Sequence, residues 1–318
     1  MIAMEGKKVW MDGRLVDFAD AKVHVLNHSL HYGVSVFEGI RAYPTALGPA
    51  IFRLKEHVAR LIASARVYHM TIPFSAEQIE RAILETQAAN GIIPSYIRPL
   101  VYRGDPGLGV KNTSGKVSLM VAAIPAKKYL GTGSENGVRA KISPFRKPHS
   151  DALPSFAKAA GNYLSSYLAG VDAQQDGYEE AILLDSHGYV AEGTGENIFV
   201  VRKGTVYTPG LESDILLGIT RDSVIQMARD LGYPVVEKLV SVNELLTADE
   251  AFFSGTYAEL APVKEIGHFP IGASSPGPVT QEIMALFHRI VHGDEAKYSA
   301  WLSPVPTLTA TARRPNRK

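Results

Sequence analysis

The sequence predicts a mixed α/β (α+β) protein of two domains, a small N-terminal α/β domain and a larger C-terminal domain. Strand-like and helical hydrophobic patterns recur along the chain, and a segment rich in turn residues separates two groups of them at residues 125–138. With 318 residues and 46% hydrophobic content, the chain can form two cores. We therefore predict domains at residues 1–133 and 134–306, followed by a disordered basic tail at 307–318.

The N-terminal domain is predicted to begin with a hairpin, because residues 9–11 and 14–16 flank Asp12-Gly13, a dipeptide typical of tight turns. Ser75 and Gln78 form the capping box of a helix that should end at Asn90-Gly91. The other elements follow from hydrophobic periodicity. These are strands over residues 34–43, 49–53, 96–102 and 116–124, and a helix over 56–68.

In the C-terminal domain, a helix is predicted to begin at Lys158 and to stop at Asp176-Gly177. Its apolar positions repeat at helical spacing, namely Leu164, Tyr167, Leu168 and Val171. Short strand patterns joined by turns follow, with two peripheral helices. The strands cover residues 181–185, 189–192, 198–201 and 205–208, and the helices cover 221–231 and 279–291.

Composition limits the classes of function. The 33 basic and 32 acidic residues nearly cancel, so no long-range field attracts nucleic acid or an anionic membrane. The absence of cysteine excludes disulfides and thiolate chemistry. The first residues, MIAMEGKKV, contain no apolar signal region, and no apolar run approaches the roughly 20 residues that span a bilayer. We expect a cytoplasmic enzyme of small molecules, with no nucleic-acid or membrane partner.

Lys158 is the most informative residue of the chain. It is surrounded by alanines and a glycine, in the run AKAAGNY, where desolvation can keep its amine unprotonated and nucleophilic. About thirty residues later, the run AEGTGEN offers carboxylates at a glycine-framed turn. A pyridoxal phosphate site needs a lysine for its Schiff base and a carboxylate for its pyridinium nitrogen. Either residue alone is more often a solvated lysine or an ordinary turn glutamate.

The segments AKAAGNYLSS and EGTGENIF, in this order and spacing, resemble the class IV pyridoxal phosphate aminotransferases, and most closely the branched-chain amino acid aminotransferases. The resemblance extends from about residue 9 to about residue 302. It implies a fold-type IV enzyme, whose larger domain is a pseudo-barrel with peripheral helices, and pyridoxal 5'-phosphate as cofactor. The implied activity is reversible ping-pong amino transfer between L-leucine, L-isoleucine or L-valine and 2-oxoglutarate.

The resemblance implies a set of cofactor-binding residues. Lys158 is the catalytic residue, Tyr163 hydrogen-bonds the phenolic oxygen, and Glu192 binds the pyridine nitrogen, with Glu196 as the rival carboxylate. The amides that begin the helix near residue 221 would bind the phosphate. The full set is Arg60, Lys158, Tyr163, Glu192, Leu216, Gly218, Ile219, Thr220, Gly255 and Thr256.

The substrate pocket is predicted around Arg98, which follows Tyr96 by two residues in a strand, so that both project from one face. Its guanidinium, in the apolar run YIRPLVY, would pair with a dicarboxylate substrate or form a structural ion pair. Phe37, Gly39 and Arg41 should also share one face. The resemblance gives the full set as Tyr32, Phe37, Gly39, Arg41, Tyr96, Arg98, Leu108, Val110, Tyr129, Thr256 and Tyr257.

Two features of this pocket follow from the resemblance. The loop at residues 105–110 matches the family loop that reaches into a neighbouring subunit, which predicts a homodimer or hexamer with shared active sites. Tyr257 stands where branched-chain aminotransferases usually have alanine, and its ring should narrow the pocket.

Other functions remain open at this point. An aminodeoxychorismate lyase, or a D-amino acid or (R)-amine transaminase, would share Lys158 but should differ at Tyr32, Phe37, Tyr96 and Arg98. A non-enzymatic pyridoxal phosphate carrier would not need Arg98. The spacing of His24, His28 and His31 would suit a metal on a helix, but their strand-like surroundings favour hydrogen bonds to the backbone, and we predict no metal.

Overall fold

The computed structural model describes residues 6–127, 130 and 136–306. Two β-sheets with flanking helices organise these residues, so the predicted mixed α/β class is confirmed. The predicted domain boundary at residues 133 and 134, Tyr129 and the tail at 307–318 lie outside the described residues.

The first sheet contains eight of the described strands, all paired antiparallel. Its order is β17-β5-β4-β6-β7-β1-β2, with β3 paired to β6. The last of the described strands, β17, thus completes the sheet of the N-terminal half. The strands are β1 Lys8–Met11, β2 Arg14–Asp17, β3 Ser35–Phe37, β4 Ile40–Tyr43, β5 Ala50–Phe52, β6 Ser95–Arg103, β7 Val117–Pro125 and β17 Leu302–Pro304.

Three helices accompany this sheet, α1 His28–Tyr32, α2 Leu54–Val67 and α3 Ala76–Asn90. The predicted capping box of α3 is confirmed, because Ser75 and Gln78 exchange side-chain-to-backbone hydrogen bonds. Gly91 ends the helix in the left-handed conformation, with φ of 63°. The buried faces of α2 and α3 pack on the sheet in one apolar core.

The predicted single strand over residues 34–43 is wrong, because Glu38 and Gly39 separate β3 from β4. Glu38 is fully buried, and its carboxylate accepts hydrogen bonds from the Arg60 guanidinium. At Gly39, an added Cβ would lie 2.0 Å from Tyr96 Oη. Both strands pair with β6, where Phe37 lies opposite Leu100 and Arg41 opposite Tyr96, so the two residues keep one face of the sheet across the break.

The second sheet contains nine of the described strands, in the order β10-β9-β8-β15-β14-β11-β12-β13, with β16 paired to β15. An additional pairing of β10 with β11 closes six strands into a ring, as a pseudo-barrel requires. The strands are β8 Val138–Arg146, β9 Glu180–Leu184, β10 Val190–Glu192, β11 Asn197–Arg202, β12 Thr205–Thr208, β13 Val235–Glu237, β14 Glu250–Gly255, β15 Glu259–Ile266 and β16 Phe269–Pro270.

The second sheet is flanked by α4 Tyr163–Gln175, α5 Ile219–Asp230, α6 Val242–Leu246 and α7 Pro278–Val291. Contrary to the prediction, α4 begins at Tyr163 and not at Lys158. Lys158 lies in an extended segment whose next residue, Ala159, bridges to Val36 of β3. The segment is thereby held against the first sheet, so the lysine lies where the two sheets meet.

The predicted apolar face of α4 points outward. Leu164, Tyr167 and Leu168 are 70%, 69% and 46% exposed, while the small residues Ala169 and Ala173 are buried. These alanines pack on β9 in a small core, because short side chains allow the helix to approach the sheet closely. The exposed apolar face is therefore available to a partner surface.

Candidate active site

Lys158 is anchored by its backbone and oriented by one tyrosine. Its carbonyl oxygen accepts a 3.0 Å hydrogen bond from Phe37 N, and its amide donates to Ser64 Oγ at 3.0 Å. Its side-chain amine donates to Tyr163 Oη at 2.7 Å. Because α4 begins at Tyr163, the helix start fixes this hydroxyl beside the amine.

The surroundings of Lys158 favour the neutral amine. Desolvation, followed by the positive charge of Arg60, lowers the pKa of Lys158 from 10.5 to about 8. Burial, followed by the charge of Glu192, raises the pKa of Tyr163, which keeps its hydroxyl protonated at neutral pH. An amine with this pKa is a nucleophile slightly above neutrality.

Glu192 lines the same cleft, where three groups bind its carboxyl oxygens. Its Oε1 lies 2.6 Å from Lys147 Nζ, and its Oε2 accepts from Asn197 Nδ2 and Leu216 N, both at 3.1 Å. Burial alone would lower the pKa of Lys147. Attraction to the Glu192 carboxylate outweighs burial, so the pKa of Lys147 is raised. Sequence reasoning missed Lys147 and Asn197. Asn197 belongs to the EGTGEN motif, whereas nothing in the sequence around Lys147 marks it.

An anion-binding region lies at one end of the cleft. Arg60 Nε and Nη2 donate to Glu38 at 2.7 and 2.9 Å, and Nη1 donates to the Leu217 carbonyl at 2.7 Å. His57 Nδ1 lies 2.7 Å from the same Glu38 carboxylate. Burial alone would raise the pKa of Glu38, but Arg60 and His57 hold it far below its usual range. The Arg60 guanidinium is thus fixed in place, and two of its five N–H donors have no acceptor among the described residues and are available to a ligand.

The start of α5 supplies further donors at this end. Gly218 is the N-cap of this 12-residue helix, and no side chain caps its first turn. The amides of this turn therefore face the cleft without an intrahelical partner, as anion binding requires. A Cβ on Gly218 would lie 2.0 Å from Asn197 Oδ1, so only glycine fits this close approach.

All ten predicted cofactor residues line this single cleft. Their side chains and amides provide an amine, a carboxylate and an anion site, which are the groups that pyridoxal phosphate requires. Ser254 Oγ, also in the wall, is buried and has no hydrogen-bond partner among the described residues. The residues present therefore fit that cofactor. Lining residues that sequence reasoning did not predict for this cleft include Lys147, Ser155, Asn162, Thr194, Asn197 and Ser254.

The predicted substrate residues separate into three groups. In the first, the Arg98 guanidinium lies 4.6 Å from the Phe37 ring centre and donates to Tyr96 Oη at 2.9 Å. The Phe37 ring lies 5.1 Å from the Lys158 amine, and the Tyr96 and Tyr257 rings are 4.5 Å apart. Arg98 has no carboxylate partner in the described part of the chain, and its buried Nε lacks an acceptor there. These observations give no support to a structural ion pair at Arg98.

Arg41 belongs to a second group. It lies 3.2 Å from Glu259 Oε1 and donates to the Tyr257 carbonyl at 3.3 Å. It lines a separate cavity with Tyr43 and His292. The expected common face of Phe37, Gly39 and Arg41 is nevertheless confirmed, because Phe37 pairs with Leu100 and Arg41 with Tyr96, which lie on one face of β6, and a Cβ on Gly39 would point at Tyr96 Oη. The backbone of Tyr257 joins this group to the first.

Tyr32, Leu108 and Val110 form the third group, on the surface of the N-terminal half. Gly109 N donates to Tyr32 Oη at 3.0 Å, and His28 Nε2 lies 3.2 Å from the Gly109 carbonyl. The side chains of Leu108 and Val110 are 61% and 76% exposed. The histidines here contact backbone groups, and no cluster of three metal-ligating residues occurs in the described ranges.

The chain is similar to known aminotransferases over nearly its whole length. The family described as "Amino-transferase class IV" matches residues 35–266. The branched-chain-amino-acid aminotransferase of Salmonella typhimurium is 41% identical over 307 residues, covering 96% of this chain and 99% of that protein.

Solved structures show the same fold. A branched-chain aminotransferase from the archaeon Thermoproteus uzoniensis, solved with norvaline, is 47% identical with a TM-score of 0.91, covering 95% of this chain and 100% of that one. The T.th. branched-chain amino acid aminotransferase, complexed with N-(5'-phosphopyridoxyl)-L-glutamate, is 44% identical with a TM-score of 0.91, covering 96% and 100%. These neighbours confirm the predicted fold-type IV architecture. The chain belongs to the class IV aminotransferases, and among them to the branched-chain-amino-acid aminotransferase family.

Proposed function

We propose that this protein is a pyridoxal phosphate-dependent aminotransferase that exchanges amino groups between L-leucine, L-isoleucine or L-valine and 2-oxoglutarate. One observation carries the proposal. The Lys158 amine, 2.7 Å from the Tyr163 hydroxyl, lies in a cleft that also contains the anion site at Arg60 and the carboxylate of Glu192. The phosphopyridoxyl-glutamate complex of the T.th. relative supports this choice of cofactor.

When bound, pyridoxal phosphate supplies an aldehyde that links to amines and an aromatic ring that stabilises negative charge on the substrate Cα. Arg60 and the amides of Gly218, Ile219 and Thr220 would bind its phosphate, as would the Thr256 hydroxyl. Glu192 would accept a hydrogen bond from its ring nitrogen, and Tyr163 would donate one to its phenolic oxygen. Lys158 would hold it covalently between turnovers.

Lys158 would also move the proton during catalysis. Its amine, with a pKa near 8, can accept a proton from the substrate Cα and return it. Tyr163 Oη, 2.7 Å away, keeps the amine oriented during this transfer. The same atom would therefore serve as nucleophile and as general base.

Substrate selection is proposed to depend on the first group of pocket residues. Phe37 would form an apolar wall for the aliphatic side chain, while Arg98 and Tyr96 would bind the distal carboxylate of 2-oxoglutarate. Two substrates that use one pocket must bind in turn, so ping-pong kinetics should follow.

We also propose a homodimer or hexamer with shared active sites. The exposed side chains of Leu108 and Val110, together with the apolar face of α4, support a surface that a second copy covers. Tyr32 would complete the pocket at that contact. Domains at residues 1–133 and 134–306 remain a proposal, as does a cytoplasmic location. Among the described residues, no helix is long and apolar enough to cross a bilayer.

A half-reaction tests the function directly. Purified holoenzyme is mixed with L-leucine, and separately with D-alanine, in the absence of an oxo acid. L-leucine alone should yield one equivalent of its 2-oxo acid with loss of the cofactor's visible absorbance. Release of pyruvate from D-alanine alone would reassign the chain to the D-amino acid transaminases, and no response to either would favour the lyase. Lys158→Ala should lack both the visible band and turnover, and retention of both would refute the assignment.

A further inference from the structure

Three buried glutamates converge on the turn that joins β10 to β11. Glu192 precedes the turn, Glu196 follows it, and Glu180 reaches it from β9. Their exposures are 7%, 4% and 3%. A 2.7 Å hydrogen bond from Gly193 N to the Glu196 carbonyl closes the turn. The proposed mechanism uses only Glu192, so the other two carboxyl groups need a separate explanation.

The three carboxyl groups have different partners. Glu192 is paired with Lys147, whereas neither Glu180 nor Glu196 has a cationic partner among the described residues. Instead, the carboxyl groups of Glu180 and Glu196 accept hydrogen bonds from the successive amides of Thr194 and Gly195, which brings the two buried groups beside each other. Two negative charges buried side by side would repel each other, and an ionised carboxylate can only accept hydrogen bonds, so a contact between the two groups requires a proton on one of them.

The neighbouring amides indicate which group carries the proton. Glu180 Oε1 accepts from Ala181 N at 2.7 Å and from Thr194 N at 3.3 Å. Glu196 Oε2 accepts from Gly195 N at 3.1 Å. Glu180 has more donors to stabilise a negative charge, so Glu196 is the group that donates.

We propose that Glu196 donates a shared proton to Glu180, and that this pair is a positioning device that fixes the turn between Glu192 and Asn197. The inference depends on the proposed role of Glu192 toward the cofactor. Through the turn, the pair would hold the Glu192 carboxylate in place. Because Glu196 stays neutral, Glu192 would be the one glutamate of the three that presents a negative charge to the pyridine nitrogen.

The packing leaves the pair little freedom. An added Cβ at Gly193 would lie 3.0 Å from Glu196 Oε2, and one at Gly255 would lie 3.1 Å from Glu196 Cγ. Burial, followed by the charges of Glu180 and Glu192, raises the pKa of Glu196 well above its usual value. Titratable groups that share its cleft are Arg60, Lys147, Lys158, Tyr163 and Glu192. Those that line the adjoining cavity together with Glu180 are Tyr163, Tyr167, Tyr178 and Glu179.

The sign of the pH effect follows from this arrangement. The folded protein holds a proton that the unfolded chain releases above its ordinary carboxyl pKa, so stability from the pair decreases as pH rises toward the raised pKa of Glu196. Loss of the proton would place a second negative charge beside Glu192 and open the turn. Cofactor retention should therefore fall at alkaline pH.

The test uses holoenzyme of the wild type, Glu196→Gln, Glu196→Ala and the control Glu179→Gln. Glu179 is the exposed neighbour of Glu180, with a side chain 40% accessible, so its variant removes one nearby carboxylate and keeps the Glu180–Glu196 pair itself. The half-life of the visible cofactor band during dialysis is measured between pH 6.5 and 10, together with the thermal midpoint of the cofactor-free proteins.

Glutamine supplies a permanent donor in the shape of the protonated acid. Glu196→Gln should match the wild type within about twofold at pH 7 and retain cofactor about tenfold longer at the alkaline end, with a flatter pH profile of the thermal midpoint. Glu196→Ala should lose cofactor about tenfold faster at every pH. Identical alkaline losses in Glu196→Gln and Glu179→Gln would overturn the shared proton, and normal retention by Glu196→Ala would overturn the positioning role.

Glu180→Gln provides an independent check, because its amide can donate to an ionised Glu196. If neither glutamine variant folds, the proposal fails, since a neutral isostere should be tolerated where a neutral acid is present. A wild type that binds pyridoxal phosphate but shows no half-reaction would refute the proposed function and leave this inference standing.

Discussion

Replacing Lys158 with methionine should stabilise the cofactor-free protein at neutral pH while abolishing cofactor attachment. Methionine keeps the apolar stem of the side chain and removes the ammonium group. The folded structure disfavours that group, since desolvation and Arg60 lower the pKa of Lys158 from 10.5 to about 8. One pKa unit corresponds to about 1.4 kcal/mol, so a charged Lys158 costs about 3 kcal/mol in the fold.

Partial exposure reduces this figure, because Lys158 is not fully buried and solvent screens its charge. The contact with Tyr163 Oη is also lost in the variant. We therefore expect Lys158→Met to raise the free energy of unfolding by about 1–3 kcal/mol at pH 7.

The pH dependence identifies the cause. A lysine with a lowered pKa destabilises the fold fully below pH 8, and this penalty disappears as pH rises from about 8 to 10.5. The advantage of Lys158→Met should therefore be largest at pH 7 and shrink toward pH 10. Thermal and urea unfolding of the cofactor-free proteins would measure it.

Lys141→Met is the matched control. Lys141 Nζ is paired with Asp172 and Asp176 on the surface of the second sheet, and these carboxylates raise its pKa. Its replacement should give no stabilisation at pH 7. An equal gain in both variants, or an advantage of Lys158→Met that persists unchanged at pH 10, would refute the reasoning.

Three further predictions follow from the site. Arg98→Gln should raise KM for 2-oxoglutarate by about 10- to 100-fold and leave the L-leucine half-reaction nearly unchanged, because only the dicarboxylate uses the guanidinium; equal losses in stopped-flow half-reactions would return Arg98 to a structural role. Tyr257→Ala should raise KM for 2-oxoglutarate about two- to tenfold by removing the ring that packs on Tyr96, whereas Tyr257→Phe should not, and steady-state kinetics with both variants would decide. Lys147→Met should weaken cofactor affinity at least about 100-fold by leaving Glu192 buried and unpaired, with recovery in Lys147→Arg, as equilibrium dialysis would show.

Local sequence signals predicted most of the elements. The capping box at Ser75 and the turn at Asp12-Gly13 are determined by residues that are neighbours in sequence, so both could be predicted without tertiary information. The ten cofactor residues, inferred from resemblance, line one cleft because they lie in or beside the two motif segments, in the middle of α2, at the start of α5 and at the end of β14.

Tertiary contacts explain what could not be predicted. The apolar face of α4 has helical spacing, but spacing does not reveal whether a face packs inward or outward, and here alanines take the inner side. Glu38, in the break between β3 and β4, pairs with Arg60, a residue of a later helix, and the local pattern of residues 34–43 cannot reveal this contact. Lys147 gains its role only through Glu192, 45 residues later, so no local pattern marks it.

The last strand of the described chain has a consequence for biosynthesis. β17 covers the edge of β5, and Arg53 N donates to the Trp301 carbonyl at 2.7 Å just before it. A ribosome that has made only the first half of the protein has therefore not yet supplied this edge strand. Until residues 302–304 emerge, β5 presents unpaired backbone groups that another chain could pair with. Efficient production of this enzyme should thus depend on how well the nascent N-terminal half is shielded until translation is nearly complete.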